Sequence, residues 1–281
     1  MERFSNEIIP IGGECIMSIF AVNGKVPVAV WCPSRDTLGN GTTTLTDLVG
    51  SSNGTLTNMD PATDWVSDTD AGGIRALDFD GSDDFVSLGN TTSLTSTAFS
   101  VSFWMRWNGV DANVNRGLIG KYGAGNTRGW LIATANTASG TAEFNQSGTI
   151  VFYYQSNASV FNVNEAIGSV GTTVNNNAWR HIVCTFNPST RSEIFIDGVS
   201  ARNRTTNVPA SVSSHAASAE IARFAASSAN CFLGRLDDIR IFAQALDATD
   251  VAYLWNSGNG RGRSNTGSPY RRNNFFISNM F

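Results

Sequence analysis

The stretch FSVSFWMRW, residues 99–107, alternates along its whole length: Phe99, Val101, Phe103, Met105 and Trp107 share one face, and Ser100, Ser102, Trp104 and Arg106 share the other. Successive side chains of a strand point to opposite sides, so this is the pattern of a strand with one face in a core. The period recurs in WRHIVCTF (179–186), where Trp179, His181, Val183 and Thr185 alternate with Arg180, Ile182, Cys184 and Phe186. Just beyond, SEIFIDGVSA (192–201) reads as a hairpin, because Asp197-Gly198 supplies the left-handed backbone that a two-residue turn requires. Further strands are expected at VPVAVW, IRALDFD, GLIGKY, GWLIATA, TIVFYY, AEIARFA and GRLDDIRIF. One helix is expected: Asp247 caps DATDVAYLWNSG, which places Val251, Leu254 and Trp255 on one stripe with Gly258 past its end. Many strands, frequent turn signals and one short helix predict an all-β, two-sheet antiparallel sandwich.

Composition agrees. Only 15% of the 281 residues are charged, lysine occurs only at Lys25 and Lys121, and 41% are hydrophobic, too many for a disordered chain. A net charge of −4 gives no general attraction to nucleic acid or to an anionic membrane. No apolar run reaches the roughly 18 residues of a membrane span. The N-terminus does not read as a secretion signal, since Pro10, Gly12, Gly13 and Glu14 interrupt its apolar stretch. Cys15, Cys32, Cys184 and Cys231 match no zinc or redox spacing; Cys184 and Cys231 sit in apolar strand patterns and are expected as core thiols, with disulfides as the alternative. Six N-x-[ST] sequons are no more than such an Asn-, Ser- and Thr-rich chain produces by chance. The chain divides into an N-terminal arm (1–25), a strand-rich body (26–258) and a C-terminal tail (259–281).

Several pieces occur in a telling order: GTTTLTDLVGSSNGTLTN (41–58), ALDFDGSDDFVSLGN (76–90), AFSVSFWMRW (98–107), NNNAWRHIVCTF (175–186), EIFIDGV (193–199) and FLGRLDDIRIFAQALDATDVAYLW (232–255). Together they resemble the laminin G-like jelly-roll modules of the concanavalin A-like lectin/glucanase superfamily. That resemblance covers about residues 26–258 and implies two face-to-face antiparallel sheets with a concave face. Lectins, adhesion modules and some glycosidases share such a fold, so function must come from the site.

Glycoside hydrolysis needs two carboxyl groups about 5–9 Å apart. Relatives that cleave glucans carry E-x-D-x-x-E on a strand, which is missing here: the body holds Glu143, Glu165, Glu193 and Glu220, each isolated. His181 and His215 are the only neutral-pH bases, and neither flanks a Ser or Cys in a nucleophile context. The chain is therefore expected not to be an enzyme. The resemblance also implies a structural Ca²⁺, for which Asp80 and Asp84 in DFDGSDDF and Asp237 and Asp238 in RLDDIR are the candidate ligands; turn solvation and ion pairs with Arg235 or Arg240 are the alternative. For glycans, Trp130, Tyr122, Tyr153 and Tyr154 are candidate stacking residues beside Asn-rich loops.

The tail carries Arg261, Arg263, Arg271 and Arg272 with no acid, leaving 15 basic and 23 acidic residues elsewhere. It ends in apolar groups that include Phe275, Phe276 and Phe281, and is expected to dock on a neighbouring subunit of the same or another structural protein. The expected function is a binding, adhesion or assembly module with glycan affinity, working on a virion surface after cytoplasmic synthesis. A secreted or cell-surface lectin and a degenerate glycoside hydrolase are the alternatives.

Overall fold

The computed structural model describes residues 19–68, 74–90, 97–107, 109, 114–123, 126–135, 146–224 and 230–260. Strands are numbered in chain order. The first sheet runs β14 (Val199–Arg204), β13 (Arg191–Ile196), β12 (Trp179–Asn187), β7 (Phe99–Arg106), β16 (Leu233–Phe242), β5 (Ile74–Asp80), β4 (Trp65–Asp68), and β1 (Ala29–Trp31) pairs with β16 beyond β5. The second runs β11 (Ala166–Gly168), β10 (Ile150–Tyr154), β9 (Trp130–Thr134), β8 (Gly117–Lys121), β15 (Ala219–Ile221), β6 (Phe85–Gly89), β3 (Gly54–Thr57), β2 (Thr44–Leu45). Every pairing is antiparallel. The architecture is the expected jelly-roll sandwich.

The alternation of residues 99–107 points where its pattern demands. Phe99, Val101, Phe103, Met105 and Trp107 lie in the core between the sheets, together with Ile182, Cys184 and Phe186 of β12. The opposite face of the first sheet is also buried, because helix α1 (Ala248–Trp255) covers it: Val183, Phe195 and Phe242 pack with Leu246, Val251 and Leu254. Asp247 caps this helix by accepting from the Thr249 and Asp250 amides, and Asp250 returns a bond to the Asp247 amide. The helix ends two residues before Gly258, at Asn256 (φ 48°), since asparagine tolerates the left-handed conformation. The β13–β14 turn uses Asp197 (φ 52°) and Gly198 (φ 81°) as expected.

The N-terminal boundary needs correction. Residues 19–25 belong to the body: Phe20 packs on Val30 and Cys32, and Val22 joins the cluster beneath α1. Asn23 and Lys25 both bond Asp250 in the first turn of the helix, fastening the segment to α1. Cys32, Cys184 and Cys231 are buried, while Cys15 lies outside the described residues.

Candidate functional site

The second sheet turns one face to the core through Leu56, Val86, Ile221, Ile119, Ile132, Phe152 and Ile167. Their chain neighbours Thr55, Ser87, Glu220, Gly120, Leu131, Tyr153 and Ala166 therefore lie on the opposite face, where Leu131, Tyr153 and Ala166 are themselves covered in a second apolar cluster. Register aligns these into one continuous cross-strand row: Thr55 opposes Ser87, Ser87 opposes Glu220, Glu220 opposes Gly120, Gly120 opposes Leu131, Leu131 opposes Tyr153, and Tyr153 opposes Ala166. At about 4.8 Å per strand, Thr55 and Tyr153 stand about 24 Å apart.

The row is chemically graded. One end offers the hydroxyls of Thr55 and Ser87 and the Glu220 carboxylate. Arg223 orients that carboxylate with paired bonds of 3.1 and 2.5 Å, its guanidinium lying 3.2 Å from the Phe85 ring centre. In the middle, Gly120 is buried and closely packed: a Cβ there would come within 2.8 Å of the Trp130 carbonyl and 2.9 Å of Leu131 Cδ1. The other end is aromatic: Tyr122 lies 6.3 Å from Tyr153 and 6.1 Å from Phe224, and Tyr153 lies 6.0 Å from Phe161. Burial pushes both tyrosine hydroxyls up in pKa, against the nearby Arg128 at Tyr122 and the Asn115 hydrogen bond at Tyr153, so both stay protonated donors at neutral pH.

Of the expected stacking residues, Tyr122 and Tyr153 come together at this end. Trp130 and Tyr154 do not: both are fully buried between the sheets, packed with Phe99 and Phe186 respectively. The correction is one of face. In GWLIATA and TIVFYY nearly every residue is apolar, so alternation alone does not distinguish inside from outside. Glu220, Ser87, Phe161 and Phe224 were missed. Glu220 had a signal, an isolated acid between the core residues Ala219 and Ile221.

The expected grouping of Asp238 with an acid of the first cluster is also corrected. Asp80 pairs with Leu233 in the ladder, so Asp237 and Asp238 stand four and five residues farther along β16, about 13–17 Å away. Asp237 is buried and accepts from the Ser34 amide; Asp238 holds Arg240 through two bonds of 2.8 Å. The hairpin gathers Asp80, Asp83 and Asp84 instead, with carboxylate oxygens within 4.8 Å of one another. Three carboxylates suit a hard cation such as Ca²⁺, although the neighbouring Gly81 and Asp83 carbonyls already accept from Arg116 and Asn58.

Burial raises the Asp84 carboxyl from 3.8 to about 6, the Asp80 amide opposes the shift, and the charges of Asp80, Asp64 and Asp83 add to it. A raised acid pKa favours the folded state while the group is protonated, so this contribution is complete below about 3.8 and is lost as pH rises through about 6. Asp84→Asn is therefore expected to melt above the wild type at pH 7, and thermal melts should show the two converging near pH 4. Added Ca²⁺ should raise the wild-type melting temperature but not that of the variant if the three acids hold a cation.

Ser102 and His181 form a 2.9 Å contact with Trp104 stacked on the imidazole at 5.1 Å. Both polar residues are at least 98% buried, so the pair braces β7 against β12 rather than meeting a substrate. The tail residues Arg261, Arg263, Arg271, Arg272, Phe275, Phe276 and Phe281 lie outside the described residues.

Residues 80–252, more than half of the chain, match the concanavalin A-like lectin/glucanases superfamily. The chain belongs to that superfamily. Among solved structures, this superfamily member is similar to the binding domain of Paraclostridial Mosquitocidal Protein 1, at 16% identity and a TM-score of 0.57, covering 83% of this chain and 52% of that one. It is similar to the receptor binding domain of botulinum neurotoxin mosaic serotype C/D at 15% identity and a TM-score of 0.56, covering 84% and 51%. A structure of botulinum neurotoxin type C, whose cell entry is dependent upon interaction with two ganglioside molecules, matches at 19% identity and a TM-score of 0.54, covering 84% and 52%. The chain thus spans about half the length of these structures, and the likeness is one of fold. No curated protein matches the chain.

Proposed function

We propose that this chain is a non-enzymatic carbohydrate-recognition module that seats a glycan along the Thr55–Tyr153 row. The observation that carries the reading is the row's grading. Saccharides present hydroxyl groups on their edges and C–H surfaces on their ring faces, and the row offers hydroxyls with an oriented carboxylate at one end and aromatic rings at the other. Gly120 and Leu131 between them are buried, so the ligand's contacts fall at the two ends. The ganglioside dependence of botulinum neurotoxin type C supports a glycan as the ligand class. The hydrolase alternative has less support, because Glu220 is the row's single carboxylate and glycosidases use a pair.

Glu220→Gln keeps the size of the side chain but removes the charge that accepts sugar hydroxyls. It is expected to weaken binding to glycan-array ligands by roughly 10–100-fold. Unchanged affinity in the variant, or hydrolysis of a bound glycan by the wild type, would overturn the reading. We extend the proposal to setting: a virion surface or the outside of a cell, with the C-terminal tail docking on a neighbouring subunit. Equal light-scattering masses with and without residues 261–281 would remove that part. Among the described residues no helix is long and apolar enough to cross a membrane.

A further inference from the structure

The loop joining β10 to β11 exposes Val160, Phe161 and Val163 by 60%, 44% and 38%. The segment carrying them, SNASVFNVN (156–164), contains no charged residue in a chain with 23 acidic and 19 basic ones. Its backbone is nonetheless fastened from within. Glu165 accepts from the Ser156 amide and hydroxyl, each at 2.6 Å, and Asn157 Oδ1 accepts from the Ser159 and Val160 amides. Gln155 brackets Asn162, accepting from its amide at 2.7 Å and donating to its carbonyl at 3.0 Å, while Asn162 Oδ1 accepts from the Asn164 amide. Arg128 donates to the Ser159 carbonyl at 2.9 Å. Gln155 and Glu165, which do most of this, are buried.

We propose that residues 156–164 form a membrane-contacting tip that dips into the interfacial layer of a zwitterionic phospholipid bilayer. A segment entering a low-dielectric layer is helped by backbone polar groups that already have partners, and here the Ser156, Ser159, Val160, Asn162 and Asn164 amides do. The exposed parts of the three apolar side chains amount to about 250 Å², well short of the roughly 800 Å² per partner of a stable protein interface. A lipid surface needs no such area and no shape match. The net charge of −4 disfavours anionic lipid, which selects the zwitterionic surface. Because Phe161 lies 6.0 Å from Tyr153, tip and row are continuous, and a glycan on the row would be one standing on a lipid surface.

Flotation of the full chain with phosphatidylcholine vesicles tests this. Wild type should float with the vesicles, and Val160→Asp and Val163→Asp should each partition roughly tenfold less while keeping the wild-type circular dichroism spectrum. Oligosaccharide binding by Val160→Asp should be unchanged, and Glu220→Gln should still float, so failure of the glycan reading is distinguishable from failure of this one. Wild type that stays in solution, or variants that float equally well, would overturn the proposal. A fall in light-scattering mass of Val160→Asp without vesicles would also overturn it, by making a second copy of the chain the occupant.

Discussion

Replacing Asp47 by alanine is expected to destabilise the protein by about 4 kcal/mol. Asp47 is 5% exposed, and its carboxylate gathers four backbone amides: Val30 at 3.0 Å, Val49 at 3.3 Å, Gly50 at 2.9 Å and Ser52 at 3.0 Å. Its own amide donates to Asn53 at 2.9 Å. Gly50 is obligatory beside it, since a Cβ there would lie 2.4 Å from the carboxylate and 2.7 Å from the Val28 carbonyl. Alanine would leave several of these donors dry, each costing about 1–3 kcal/mol, partly relieved where the exposed half of the loop admits water. β1 should loosen from its loop as a result. Urea melts check the magnitude, and hydrogen exchange at the Val30 amide checks the location. A change below about 1 kcal/mol would mean that the amides find other acceptors.

Arg240→Ala carries a comparable expected loss, about 4 kcal/mol, through a different mechanism. Arg240 is 1% exposed; it donates to both oxygens of Asp238 at 2.8 Å and to the Phe20 carbonyl at 3.1 Å, and its guanidinium lies 5.2 Å from the Phe20 ring centre. Truncation strands the Asp238 charge in a buried place and releases the 19–25 segment. Paired replacement behaves differently, because burying two charges costs much of what their attraction returns. Asp238→Asn with Arg240→Met should therefore recover at least half of the loss, and asparagine suits the φ of 50° at that position. Thermal melts separate the cases, at roughly 2 °C per kcal/mol for a chain of this size. If the double variant is no more stable than Arg240→Ala, the loss comes from packing on Phe20 and not from the stranded charge.

These two residues also show how far a sequence can be read. Asp47 sits in DLVGSSNGTL (47–56), a local motif whose parts lie within ten residues, and its spacing was legible as a family feature. Asp238 and Arg240 were legible as a charged pair in RLDDIR, but not as the clamp on Phe20, more than 200 residues away in sequence. Nor was the β-bulge visible that shifts β16 between Asp237 and Arg240 and turns the two acids to separate tasks. The same division runs through the candidate site. Tyr122 and Tyr153 were picked for their chemistry and are neighbours; Trp130 and Tyr154 were picked for the same reason and are core.

What the sequence by itself determined was local. Period-two patterns set the strands, Asp197-Gly198 the hairpin and Asp247 the helix cap, because each depends on residues within a few positions of one another. Strand order and register were decided only by tertiary structure. The ladder that puts β15 between β6 and β8 brings Glu220 beside Ser87 and Gly120, residues at least 100 positions earlier. No short-range signal specifies that meeting. It follows from burying the apolar faces of all the strands at once, a sum over many long-range contacts in which a one-residue slip would exchange the inner and outer faces of a strand.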